Sequence, residues 1–245
     1  MRAFVAGATG YTGRAVVAQL CADGHEVVAH IRPDSPRRTH WQELFANLPG
    51  SERLTVDLTA WTSGDMNATL ARVQPDLVFA LLGTTASRKK VAAAQGRDPN
   101  AESYERVDYG LTALLIEASV ACGSAPRFVY LSSLGVRKGG PGAYLLARWK
   151  TEEALRATTL AWTIARPSFI TGDNRDEDRF GERFGAGMAD AGLRGLAALG
   201  MGGLLARYGS MRNDELASGL IRHALDPESA CTVVEAIALR HTEGA

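Results

Sequence analysis

The residues that most plainly suggest chemistry lie close to Met1, in Gly7-Ala-Thr-Gly10-Tyr-Thr-Gly13-Arg14. The spacing is G-x-x-G-x-x-G. One glycine makes a sharp turn, one lets the backbone approach a pyrophosphate, and one lets a helix pack close to a strand. A helix opening here presents free N–H groups and the positive end of its dipole to phosphate. The stretch Arg2–Ala6 before it reads as a short buried strand, and the run after it reads as a helix to about Asp23. A glycine triplet between a strand and a helix is the context that makes such a motif specific. No Gly-Lys-Ser/Thr follows, so the turn is not a P-loop.

The next stretch, His30-Ile31-Arg32, closes a second strand. A site selective for NAD usually places a carboxylate there, on the ribose hydroxyls. Here the tip carries Arg32, whose planar guanidinium suits a 2′-phosphate. Arg37 and Arg38 stand ready to assist, and NADP is therefore expected ahead of NAD. A solvated loop arginine is the plainer reading of Arg32. Asp57, at the end of a third strand, suits either an acceptor for the adenine amino group or a helix N-cap.

The elements that must position these groups alternate. Strands are expected at His25–Ile31, Leu54–Leu58, Leu77–Leu82, Arg127–Leu131 and Trp162–Ala165. Helices are expected at Trp41–Asn47, Met66–Val73, Tyr104–Ala121, Ala143–Ala157 and Asn213–Leu225. Leu77–Leu82 is almost wholly apolar, as in a parallel strand covered on both faces. The fold class is thus α/β, a doubly wound parallel sheet of Rossmann type. A last strand is expected at Cys231–Leu239. The alternation fails after Pro167, and residues 173–212 read as a small substrate-side lobe within a single domain spanning 1–245.

The chain has 245 residues, 46% hydrophobic and 22% charged, with a formal net charge of zero. Such a length buries a core without disulfides. No global field draws it to nucleic acid or an anionic membrane. The three cysteines are far apart and the five histidines are scattered, so no metal site is expected. No secretory leader precedes the first strand, and a reducing cytoplasm is expected. No G-x-S-x-G elbow points to a hydrolase.

Three further segments carry a resemblance. They are Leu131-Ser132-Ser133, then Tyr144-Leu-Leu-Ala-Arg148-Trp-Lys150, then Arg166-Pro167-Ser-Phe-Ile-Thr-Gly172. With the glycine turn, and with Leu82-Gly83-Thr84-Thr85 and Val107-Asp108-Tyr109, they resemble the atypical or extended short-chain dehydrogenases/reductases. The Tat-interacting-protein-like oxidoreductases are the branch most resembled. The resemblance implies that a Ser, a Tyr and a Lys act on a carbonyl beside the nicotinamide. Tyr144 takes the tyrosine position and Ser133 best fits the serine, with Ser132 the other choice. Arg148 stands where the lysine is expected. On a helix, residues four apart share a face, so Arg148 can lie beside Tyr144. A free phenol has a pKa of about 10, and a neighbouring cation favours the phenolate. A guanidinium, however, does not release its proton, which puts a lysine-style relay in doubt. Lys150 is about 240° round the helix from Tyr144 and faces away.

The resemblance also implies a cofactor-binding set. From the turn it takes Gly7, Thr9, Gly10, Tyr11, Thr12 and Gly13. From later strand ends it takes Arg32, Asp57, Leu58, Leu82, Gly83, Thr84, Arg166 and Pro167. Arg166 suits either the cleft or a surface ion pair. Asp108 stands where related enzymes often carry an asparagine, or reads as a solvated helix residue. Arg88-Lys89-Lys90 reads as a solvated loop, or as an attractor of an acidic substrate or a second phosphate. The expected activity is an NADP-dependent reduction of a small carbonyl substrate. A non-catalytic NADP-binding regulator and an NAD(P)-dependent epimerase or isomerase are the alternatives, and a homodimer or a protein partner stays open.

Overall fold

The computed structural model describes residues 1–84, 92–94, 96, 98–168, 170–171 and 209–240. Most of the expected lobe at 173–212, and the Arg88-Lys89-Lys90 loop, lie outside the described residues.

The sheet is built outward from β1 (Arg2–Ala6), which pairs in parallel with β2 (Glu26–His30) on one side and β4 (Leu77–Ala80) on the other. β3 (Leu54–Asp57) extends the β2 side. β5 (Arg127–Leu131), β6 (Trp162–Arg166) and β9 (Thr232–Glu235) extend the other. The seven strands run β3-β2-β1-β4-β5-β6-β9, and every pairing is parallel. Strand order therefore reverses between β1 and β4, and ligands of such sheets bind outside the strand ends at that crossing.

Side chains alternate across a strand, so β1 feeds two cores. Ala3 and Val5 meet Val16, Val17 and Leu20 of α1 (Tyr11–Ala22) and Leu216 and Leu220 of α6 (Asn213–Leu225). Phe4 and Ala6 meet the opposite layer. That layer holds Met66 and Leu70 of α3 (Ser63–Val73), Leu115 of α4 (Thr112–Ala121) and Leu155 of α5 (Gly142–Arg156). Strand β4, Leu-Val-Phe-Ala, is buried throughout, which is why it lacks alternation. α2 (Arg38–Ala46) covers the β2–β3 edge through Trp41 and Phe45.

Three expectations need correction. The helix expected over Tyr104–Ala121 is two helices, since Tyr104–Leu111 is π-wound before α4 begins. Both windings bury one face, so periodicity does not separate them. The strand expected over Cys231–Leu239 ends at Glu235, and Ala236–Leu239 forms a helical turn, α7. Gly219 of α6 allows this, because a Cβ there would stand 2.3 Å from Leu239 O. Finally, Asp57 caps no helix: Thr62 caps α3 by accepting from Asp65 N–H. A short parallel pair, β7 (Ile170–Thr171) with β8 (Met211–Arg212), had no signal in the sequence.

Candidate functional site

Two of the glycines in the turn are imposed by backbone contact. Gly7 has φ +85°, and a Cβ there would fall 2.5 Å from Leu81 O. A Cβ at Gly13 would fall 2.1 Å from Gly7 O. The helix thus packs on the turn more closely than any side chain permits. Gly10 N–H donates to Gly7 O at 2.9 Å and closes the turn. α1 then starts with no side-chain cap and no acidic residue in its first turn. Its first N–H groups have no helical acceptor, so its N-terminus suits an anion. Thr12 is buried in the first turn, while Thr9 and Tyr11 are half-buried. Asn213 of α6 donates to Tyr11 O at 3.0 Å and fixes the start of α1 from the far end of the chain.

Cations lie at the start of α1, beyond the end of β2 and before α2. The guanidiniums of Arg14 and Arg37 lie 5.5 and 4.4 Å from the Trp41 ring centroid. Arg38 donates to Pro33 O at 3.3 Å. Arg32 is half-exposed, with Nη1 at 3.5 Å from Glu102 Oε1 and Nε at 3.9 Å from Asp34 Oδ1. Arg14, Trp41 and Glu102 had not been singled out from the sequence. Arg14 adjoins the motif and was legible, whereas Glu102 carries no local signal.

Asp57 is buried in a polar knot. It accepts from Thr59 N–H at 3.1 Å and from Thr59 Oγ1 at 3.0 Å, and Arg72 Nη2 lies 3.4 Å away. His30 stands beside it, Nε2 donating to Thr59 O at 2.8 Å. Burial lowers the His30 pKa against the opposing pull of the Thr59 carbonyl and Asp57. Leu58 is half-buried next to this knot.

At the other end of the cleft, α5 brings Tyr144 and Arg148 to the ends of β4 and β5. Arg148 is buried, with both terminal nitrogens engaged and Nε without a hydrogen-bond partner among the described residues. Nη1 donates to Leu131 O at 2.6 Å and to Tyr130 Oη at 3.3 Å. Nη2 donates to Leu82 O at 3.3 Å and lies 2.8 Å from Asp108 Oδ1. Its guanidinium carbon is 5.2 Å from the Tyr144 ring centroid. Burial pulls the Arg148 pKa down, but Tyr130, Tyr144 and Asp108 together hold it above its ordinary value, so the charge is permanent. Gly83 makes room, since a Cβ there would stand 2.9 Å from Arg148 Nη2.

Asp108 is fully buried, not a solvated helix residue. Its Oδ2 accepts from Thr84 N–H at 3.0 Å, and its carbonyl lies 3.3 Å from Thr151 Oγ1. The π-wound turn that carries it is a winding often found at functional positions. Lys150 turns away, pairing with Glu105 at 2.8 Å on the surface. Tyr144 is half-buried and meets Tyr104 edge-on, ring centroids 5.3 Å apart.

The two serines part company. Ser132 is buried and donates to Glu152 Oε1 at 2.6 Å. Ser133 is half-buried and keeps a 3.4 Å contact with Leu134 O. Glu152, fully buried, also receives Arg166 Nε at 2.9 Å, Arg166 Nη2 at 2.6 Å and Arg156 Nη2 at 2.9 Å. The hydrogen bonds from Arg166 to Glu152 raise the Arg166 pKa. Arg166 is thus an ion-pair member holding β6 to α5. Pro167 is buried behind it, its carbonyl accepting from Leu134 N–H at 3.1 Å.

A doubly wound sheet with a glycine turn and an open helix N-terminus at its crossing defines a dinucleotide-binding protein. The chain belongs to the NAD(P)H-binding family, whose model matches residues 7–189. It is 35% identical over 171 residues to divinyl chlorophyllide a 8-vinyl-reductase, chloroplastic, of Oryza sativa subsp. indica, covering 67% of this chain and 38% of that protein. It is 30% identical over 193 residues to Protein TIC 62, chloroplastic, of Pisum sativum, covering 73% of this chain and 34% of that protein. The chain therefore spans little more than a third of these curated relatives. UDP-N-acetylglucosamine 4-epimerase from Bacillus cereus shares the fold, with a TM-score of 0.59 at 17% identity, covering 95% of this chain and 76% of that one. Among the described residues no helix is long and apolar enough to cross a membrane.

Proposed function

We propose that the chain is an NADP-dependent oxidoreductase of the short-chain dehydrogenase/reductase type, acting on a small carbonyl or alcohol substrate. The observation that carries the cofactor reading is the start of α1: a glycine cradle closed to any Cβ, with neither cap nor acid in the first turn. Arg14 and Arg37 on the Trp41 ring, and Arg32 just past the end of β2, favour a 2′-phosphate over a bare ribose. When bound, the nicotinamide donates or accepts a hydride.

The protein's own part is to orient and to move a proton. Tyr144 Oη is the proton donor or acceptor for the substrate oxygen, and Ser133 Oγ hydrogen-bonds that oxygen. The bond from Ser132 to Glu152 supports Ser133 for that task. Arg148 fixes α5 to the ends of β4 and β5 and supplies a permanent positive charge beside the Tyr144 ring. It is a positioning residue here, since both of its terminal nitrogens are held by protein oxygens. An NADPH titration by fluorescence, followed by absorbance with aldehydes, ketones and quinones, tests the proposal. The vinyl-reductase named among the relatives brings activated alkenes into the same panel. Substrate-dependent NADPH oxidation that Tyr144→Phe abolishes is the expected result.

The Arg148 contacts also favour a second reading, a non-catalytic NADP-binding regulator. Tight NADPH binding with no turnover across the panel is its signature. An epimerase would regenerate its cofactor at each turnover and show product without net NADPH oxidation.

A further inference from the structure

β1 lies between β2 and β4, and its end is the glycine turn. A dinucleotide running along the strand ends must cross the line from the β2 tip to the β4 end. That line is occupied by a polar link. Glu102, on the short 3-10 turn Pro99–Glu102, reaches both sides. Its Oε1 lies 3.5 Å from Arg32 Nη1, just past β2, and its Oε2 accepts from Thr84 Oγ1 at 3.3 Å, just past β4. The Glu102 side chain is 9% exposed, so this is a seated carboxylate and not a passing surface contact.

We infer that Glu102 is a cofactor-selecting residue: it supplies in space the carboxylate that the β2 tip lacks in sequence, and it opposes the 2′-phosphate of NADP. The inference rests on the dinucleotide reading of the turn. Arg32 faces two carboxylates, Glu102 and Asp34, and the second of these is well exposed. Glu102 offsets the charge of Arg32 itself, leaving Arg14 and Arg37 as the cations it does not face, and a carboxylate there accepts hydrogen bonds from a ribose diol. A phosphate dianion at the same guanidinium meets a like charge at close range in a partly desolvated cleft. NADP therefore binds only as Arg32 exchanges Glu102 for phosphate. NAD has no such exchange to make. Thr84 is the latch on the other carboxylate oxygen, and its N–H is bonded to Asp108 Oδ2. The selecting end and the Asp108–Arg148 end thus share one residue.

The test is binding of NADPH and NADH by fluorescence titration to wild type, Glu102→Gln and Thr84→Val. Adenosine 2′,5′-bisphosphate against 5′-AMP serves as a probe of the adenosine end alone. Glu102→Gln is expected to tighten NADPH and the bisphosphate by about tenfold while leaving NADH and AMP unchanged or weaker, because the phosphate loses a repelling charge and the ribose diol loses a charged acceptor. Thr84→Val, nearly isosteric, should shift the NADPH-to-NADH ratio in the same direction by a smaller factor. Wild type that binds NADPH while both variants keep its NADPH-to-NADH ratio overturns the inference and leaves the dinucleotide reading standing. Weaker NADPH binding to Glu102→Gln, with NADH unchanged, overturns it too. Failure of all three proteins to bind either nucleotide removes the dinucleotide reading and this inference with it.

Discussion

Arg148 and Asp108 form a buried ion pair, Nη2 to Oδ1 at 2.8 Å, with side-chain exposures of 7% and 0%. In this sequence they stand at the positions where the resembled enzymes carry lysine and often asparagine. In this structure the two departures complement each other. A larger, permanently charged group entered one position, and a carboxylate at the other neutralises it. Gly83 lacks the side chain that would crowd them.

Breaking the pair should be costly. Asp108→Ala leaves the Arg148 charge buried without its counterion, and such losses destabilise by about 3–5 kcal/mol. Arg148→Met should cost a similar amount. The double variant Asp108→Ala/Arg148→Met should be less destabilised than the sum of the singles. Urea unfolding at neutral pH measures this, and additive single effects would refute the coupling.

The glycine cradle predicts a binding defect with a backbone cause. Gly13→Ala drives a Cβ toward Gly7 O, a contact of 2.1 Å unless the helix retreats. Overpacking of this kind costs about 1–3 kcal/mol. The variant should still fold, melt earlier, and lose at least about tenfold in NADPH affinity because the phosphate-facing helix end has moved. Unchanged affinity in a destabilised protein would separate the turn from the cofactor.

Tyr144→Phe removes one hydroxyl from a half-buried ring whose neighbours are Tyr104 and Arg148. Loss of a general acid or base lowers turnover by about 10²–10⁴-fold. NADPH binding should change by less than about twofold, since the ring and its contacts remain. A variant as active as wild type would remove Tyr144 from the chemistry.

Glu152→Ala should destabilise by about 3 kcal/mol, the low end for a buried pair, because Arg156 and Arg166 both reach solvent. Ser132→Ala should cost about 1 kcal/mol. Neither should alter the preference between NADPH and NADH, which makes them controls for the cofactor-end variants. Thermal melts with parallel titrations check both statements.

Much of this was legible in the sequence. The glycine turn, β5 (Arg127–Leu131) and α6 (Asn213–Leu225) fall where periodicity and capping signals put them, because local patterns suffice there. What was illegible depends on contacts between distant segments. Glu102 looks like any loop acid until the topology carries it to Arg32. Asp108 looks solvated until a π-wound turn directs it inward. Ser133 fits the serine position better than Ser132 on paper, but that Ser132 is tied to buried Glu152, from a helix beyond it, is visible only in the fold.

His30 gives a pH dependence with a defined sign. Burial holds its pKa below the unfolded value of about 6.5, so the unfolded chain binds its proton first as pH falls. Its contribution is complete above about pH 6.5 and diminishes below it, down to the folded pKa, by at most about 1.4 kcal/mol per pH unit. Urea unfolding at pH 7.5 and 5.5 should show this loss in wild type and a smaller one in His30→Gln. Equal losses would assign the dependence to other groups.

NADP is proposed to sit on the turn at Gly7–Gly13 with the arginines near it, and titration of the wild-type protein with NADPH and with NADH, in parallel and at one ionic strength, measures this. Saturable binding of NADPH, tighter than NADH and weakened by Arg32→Ala far more for NADPH than for NADH, is the predicted result. Binding of neither nucleotide, or an equal loss for both in Arg32→Ala, would contradict it.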